Sequence, residues 1–258
     1  MTSPLIILVA SAVITGAFGS LFILLAIAVD TWQEVYYDTS VFSPYTSGNS
    51  SSIQITLASS STSYIKYKEE QSDGSFATYY LYNTYSGVWR VCDTLSDAAR
   101  SELATLGYTK SECYNFVSEY DEESSSLPEN GKSIARLQNS AASCFIVSII
   151  DLVAAAGVGV IALTQKQVAA CMVTGVLYCM AGLFTVFGLA IFHTKHYYET
   201  YMCHALETIP SVACAARVVQ INWASPLAWV GVVICVIATV LWLFLTRAIR
   251  VIKAKTML

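Results

Sequence analysis

Apolar positions gather into four long runs, separated by polar sequence of very unequal length. Leu5 to Val29 carries no charged residue. At about 1.5 Å of rise per residue, such a run crosses a roughly 30 Å hydrocarbon layer with some tilt. Ala141 to Thr164 is broken only by Asp151, Val168 to Phe192 is uncharged, and Trp223 to Leu245 ends just before Arg247. The pattern predicts spans over 1–29, 141–164, 168–192 and 223–246, with a turn at 165–167 and a basic tail at 247–258. The first run has no basic stretch before it and exceeds the apolar core of a cleaved signal, so it reads as a span.

The polar segments 30–140 and 193–222 remain. The first is too long for a bare connector and is expected to fold. Gln33 to Tyr37, Ile53 to Leu57 and Tyr64 to Tyr67 mix β-branched and aromatic residues with partial alternation, and Ala77 to Tyr85 is rich in Tyr and Thr. Ser47 to Ser52 and Asp73-Gly74-Ser75 punctuate these runs as turns, which predicts an antiparallel sheet. Leu95 to Leu106 changes period, with Ala98, Ala99, Leu103 and Leu106 on neighbouring turns, and reads as a short helix. The acidic, serine-rich stretch Ser118 to Asn130 reads as a mobile linker. The expected fold is an all-α transmembrane four-helix bundle bearing an extracellular antiparallel β-sheet domain.

Charge orients this layout. Lys166, Arg247, Arg250, Lys253 and Lys255 lie at the short turn and the tail with no acidic residue beside them, which predicts that both face the cytosol with the two termini. The segment 30–140 holds seven Lys/Arg and fifteen Asp/Glu, a net charge of −8, and belongs outside. The basic inner rim suits anionic lipid and argues nothing for nucleic acid. Asn49-Ser50-Ser51, in a turn-like outer stretch, is a glycosylation acceptor pattern.

The eight cysteines divide by topology. Cys144, Cys171, Cys179 and Cys235 fall in spans as small apolar side chains, whereas each outer segment has one pair. The predicted disulfides are Cys92–Cys113 and Cys203–Cys214, with cross-loop pairing as the competing connectivity. Asp151 is costly in a span. It is expected either protonated at a helix seam beside Ala154, Ala155, Ala156, Gly157 and Gly159, or facing a partner. His193, His196 and His204 match no strong zinc spacing and are expected as surface loop residues, so no metal or other cofactor is assigned. No phosphate loop, Cys-x-x-Cys pair, metalloprotease helix or nucleophile elbow occurs, which argues against an enzyme. Thr256-Met257-Leu258 has the hydroxyl and terminal apolar residue of a tail for a PDZ-type scaffold.

Trp32 just after the first span, Gly87-Val88-Trp89 later in the same segment, and then Cys92 and Cys113 form a constellation that resembles the claudin superfamily. That group includes claudins, peripheral myelin and epithelial membrane proteins, and calcium-channel gamma subunits with their glutamate-receptor regulatory relatives. Its signature is a tryptophan, Gly-Leu-Trp and two cysteines; Val88 stands here for leucine, and Arg136 resembles a basic residue that precedes the second span. Arg90 after the second tryptophan is closest to the gamma-subunit-like branch, although it equally suits a solvated strand residue.

The resemblance implies a left-handed claudin-like bundle, motif tryptophans near the membrane, and cysteines clamping two strands. Two features depart from it: 54 residues separate Trp32 from Gly87, which predicts an inserted hairpin, and the second outer segment has its own cysteine pair. Two functions follow as expectations. One is an auxiliary subunit of a channel or receptor complex in the plasma membrane. The other is a claudin-like protein of cell–cell adhesion or paracellular barriers at a cell junction.

Overall fold

The computed structural model describes residues 4–46, 53–57, 64–109, 111–116 and 127–256. In chain order the elements are α1 (Pro4–Ala28), β1 (Gln33–Tyr37), a 3₁₀ turn (Thr39–Phe42), α2 (Ser43–Thr46), β2 (Ile53–Leu57), β3 (Tyr64–Glu70), β4 (Phe76–Tyr82), β5 (Thr84–Ser86), β6 (Arg90–Asp93), α3 (Asp97–Thr105), β7 (Cys113–Asn115), α4 (Glu129–Gln165), α5 (Val168–Tyr201), α6 (Ser211–Ala216), β8 (Arg217–Ile221) and α7 (Ala224–Thr256). They form two compact units: a helical one of 1–29, 140–192 and 223–258, and a polar one of 30–139 and 193–222.

Among the described residues, α1, α4, α5 and α7 are the four helices long and apolar enough to cross a membrane. Their seams are built from small residues. On α1 the buried positions are Ala12, Gly16, Gly19, Ile23, Ala26 and Ile27, a three-then-four spacing that keeps one stripe against α7. A Cβ added at Gly231 of α7 would stand 2.6 Å from Ile23 Cγ1 and 3.1 Å from the Ile23 backbone nitrogen, so these helices touch almost backbone to backbone. On the α4–α5 seam the Ser148 hydroxyl donates to the Ala181 carbonyl at 3.0 Å and lies 2.8 Å from the Thr185 hydroxyl. Away from the seams, Ile150, Val153, Phe187 and Val233 are more than half exposed, as lipid-facing side chains are.

The polar unit contains two antiparallel sheets. The larger has the order β7-β6-β5-β1-β8 and the smaller β2-β3-β4. In the smaller sheet β3 and β4 meet through a tight turn in which Gly74 has φ of +79°, a conformation that costs glycine little. Its side chains Ile55, Tyr67 and Leu81 bury against Phe42, Ala213 and Ala216. A second cluster joins Tyr64 of β3 to Ala99 and Leu103 of α3. Ser96 caps α3 by accepting from the Ala99 amide, and Gly107 at φ +85° ends it.

Several expectations change. Among the described residues the single expected sheet is two, because β2 to β4 pair with one another and bury their apolar face against Phe42, Ala213 and Ala216. The linker reading of 118–130 is corrected at its end: α4 begins at Glu129, twelve residues before the expected span, because its buried stripe continues through Ile134, Ala135 and Gln138. Residues 117–126 lie outside the described residues. Likewise α5 continues to Tyr201, so His193 and His196 lie on a helix and not in a loop. The second polar segment also supplies β8, paired with β1 from Gln33↔Ile221 to Tyr37↔Arg217.

Candidate functional site

The signature residues converge on one corner of the larger sheet. Trp32 is fully buried; its amide donates to the Ser86 carbonyl at 2.9 Å, and its carbonyl accepts from the Asn222 amide at 2.8 Å. It therefore joins the first strand of the polar unit to the return point of the second polar segment. Gly87 closes the turn between β5 and β6 by donating to the Arg90 carbonyl at 2.9 Å, and Trp89 accepts from the Phe116 amide at the same distance. The carbonyls of Gly87 and Val88 turn inward and accept from Gln138 Nε2 of α4, at 3.0 and 2.7 Å. Gln138 was not singled out from sequence, although a glutamine on a buried helical stripe two residues after Arg136 is a readable signal.

The structure pairs Cys92 with Cys113 on facing positions of β6 and β7, and Cys203 with Cys214. Arg90 is an exposed strand residue whose guanidinium reaches Asp30 at 2.6 and 2.8 Å. Asp93, next to Cys92, is buried and held by Arg100 of α3 in a two-pronged pair at 2.6 and 3.2 Å. Arg136 is exposed on α4.

Beyond this corner the polar unit encloses a cleft of about 780 Å³, within the size range of ligand pockets. Strands β1, β4, β6 and β7, the end of α5 and residues 205–209 line it. Its floor is ionic. Lys195, which hydropathy places on a loop, is 1% exposed, lies 3.9 Å from Glu199 Oε2, and has its ammonium 5.4 Å from the Phe116 ring centroid. Gln33 Nε2 donates to the same carboxylate. Arg217 Nη1 donates to the backbone carbonyls of Glu199 and His204 at 2.9 and 3.0 Å, which ties the disulfide-closed segment to α5.

The wall is phenolic. Tyr82 and Tyr108 donate to the two oxygens of Glu207 at 2.6 and 2.9 Å, with their own hydroxyls 3.2 Å apart. Burial first, and the Glu207 charge second, push both phenols well above the ordinary tyrosine range. Tyr37 is pushed up to about 12, chiefly by burial, with Arg217 opposing. All three therefore stay neutral at physiological pH, and Tyr82 and Tyr108 act as donors to Glu207.

The remaining sequence candidates lie elsewhere. Asp151 is half-buried on α4, and its Oδ2 is buried without a hydrogen bond among the described residues. Gly159 beside it does serve a seam, against Thr174 and Trp242, whereas Gly157 faces open space. The His204 ring stacks on Tyr198 at 5.3 Å. Among the described residues no group of three or more His, Cys, Asp or Glu side chains is placed to hold a metal ion. Thr256 ends α7; Met257, Leu258 and Asn49 lie outside the described residues.

A search of curated proteins finds no match. The family model described as PMP-22/EMP/MP20/Claudin tight junction matches residues 17–244, which takes in the second half of α1, all of α4 and α5, α7 as far as Phe244 and the whole of the polar unit. With the tryptophan, glycine turn and cysteine pair gathered at one corner of the larger sheet, and four long apolar helices in the same chain, the chain belongs to the PMP-22/EMP/MP20/claudin family of multi-pass membrane proteins.

Proposed function

We propose that the protein is a non-catalytic auxiliary subunit of a plasma-membrane ion channel or receptor, modulating its gating, assembly or trafficking. The polar unit faces outward and both termini are cytosolic. The observation that carries this reading is the additional three-stranded sheet, inserted between Trp32 and Gly87, whose Ile55, Tyr67 and Leu81 pack against Phe42, Ala213 and Ala216. An enlarged outer unit hinders the close lateral packing that junctional strands need, and it offers a broad surface to a partner's outer domain. Differential contact with two states of that partner is sufficient to bias its equilibrium.

The segment's net charge of −8 favours a second reading, in which facing copies form an adhesive or barrier contact whose acidic surface admits cations. A glycan at Asn49 fits the first reading better than the second. A cytosolic PDZ-type scaffold at Thr256-Met257-Leu258 and anionic lipid at the basic tail suit either. Expression in contact-forming cells without other introduced proteins tests the choice. A subunit stays diffuse or is retained inside the cell; concentration at contacts between expressing cells favours the barrier.

A further inference from the structure

Within the apolar runs 5–29, 141–164, 168–192 and 223–245 one charged residue occurs, Asp151, near the middle of the second. A carboxyl group at that depth is costly, and acidic residues in spans are ordinarily paired or line a polar path. Asp151 Oδ2 is buried and has no hydrogen bond among the described residues. The nearest basic residues along the chain, Arg136 and Lys166, are each fifteen positions away. On a helix that is about 22 Å of axis, far beyond the reach of a side chain.

Asp151 also lies where α4 turns from its seam to its outer side. The buried stripe of the helix runs through Ser148, Leu152, Ala155 and Gly159, and Ser148 is the residue that bonds to α5. Asp151 borders this stripe, with Val147, Ala154 and Val158 half-buried on its own side. Next to them Ile150 is 59% exposed, and a Cβ added at Gly157 would meet nothing within 4 Å. Ala154 and Gly157 therefore leave room for another helix to approach closely beside the carboxyl.

The charge selects what approaches. Lipid tails offer Asp151 no donor. A second copy of this chain brings only another acid, since its apolar runs contain no Lys or Arg. A spanning helix of a different protein, with a lysine or arginine at matching depth, supplies both the donor and the opposite charge.

We propose that the Asp151 flank of α4 docks a transmembrane helix of a partner protein, whose basic side chain pairs with the Asp151 carboxylate while Ala154 and Gly157 allow close packing. The proposal rests on the subunit reading above and adds the chemical mark by which the partner's span is recognised.

The test reconstitutes the full chain, labelled with an acceptor dye, in phosphatidylcholine vesicles. A donor-labelled spanning peptide of leucines with one central lysine is titrated in, and separately the same peptide with leucine at the centre. Energy transfer should show the lysine peptide bound about tenfold more tightly, the scale of a good polar contact between spanning helices. Asp151→Leu should abolish that preference, and Asp151→Asn, of nearly the same size, should remove most of it. The melting temperature of Asp151→Asn should equal that of the wild type, because the carboxylate has no partner within the fold. Equal binding of the two peptides overturns the proposal, as does a preference that survives Asp151→Leu. A lowered melting temperature in Asp151→Asn overturns it too, since the carboxyl would then belong to the fold, and so does association between copies of the chain that depends on Asp151. The vesicles contain no channel or receptor, so failure here strikes the Asp151 site and leaves the subunit reading to recovery of a partner from the native membrane.

Discussion

The side-chain amide of Gln138 donates to the backbone carbonyl of Val88 at 2.7 Å, placing a helix residue as the hydrogen-bond partner of the Gly-Val-Trp turn. The same nitrogen also satisfies Gly87, so two buried carbonyls depend on one side chain. Gln138→Leu leaves both without a donor, and a buried unsatisfied polar group costs about 1–3 kcal/mol. The expected result is a lower melting temperature for the detergent-solubilised protein, with both disulfides intact by mass mapping. An unchanged melting temperature would mean that the turn is held by its strands alone.

The two disulfides close segments of different reach, with sequence separations of 21 and 11. Removing a native disulfide typically costs about 2–5 kcal/mol. Cys92→Ser with Cys113→Ser is expected to destabilise the β6–β7 edge, and Cys203→Ser with Cys214→Ser to free the segment that leads into β8. Limited proteolysis separates the two outcomes, with new cleavage near 106–112 in the first variant and near 203–210 in the second.

Close approach on the α1–α7 seam predicts that Gly231→Ala is harmful despite adding one methyl group. Its Cβ would meet the Ile23 backbone nitrogen at 3.1 Å as well as the more mobile Cγ1. Overpacking of this kind costs about 1–3 kcal/mol. Pairing the change with Ile23→Ala should recover only part of the loss, because the backbone contact remains. Full recovery of thermal stability would show that the side chain alone sets the spacing.

Alkaline pH should weaken the polar unit. Burial pushes Tyr37 and Tyr67 up to about 12 from an ordinary value of 10.0. The folded state therefore keeps protons that the unfolded chain has already released, so stability is complete below about pH 10 and falls as pH rises toward 12. Unfolding midpoints measured from pH 8 to 12, alongside phenolate absorbance, should fall only over the upper half of that range. Tyr67→Phe should shrink the decline. Equal loss in the wild type and in that variant would remove Tyr67 as a cause.

The sequence carried the four helices clearly, since long apolar runs have few alternatives, but it did not carry where they end. Hydropathy reports a change of solvent. The α4 stripe runs on through Ile134, Ala135 and Gln138 among charged neighbours, and α5 buries Lys195 and Glu199 three and seven residues past Phe192, where its uncharged run ends. Strands β1 and β2 were legible because their alternation is local. Strand β8 was not, because Arg217 to Ile221 has little alternation and its partner Val35 is far away in sequence. The signature corner was found through Trp32, Gly87, Trp89 and Cys92. The cleft was not, since Gln33, Tyr82, Tyr108, Glu199 and Glu207 meet only after two sheets and a helix have formed.

Purification of the tagged protein from its native membrane in mild detergent, followed by mass spectrometry of what remains bound, tests the central claim most directly. An auxiliary subunit should bring down a channel or receptor subunit in stoichiometric amount. Recovery of only further copies of itself and cytosolic scaffold proteins would contradict that claim and favour the adhesive or barrier role.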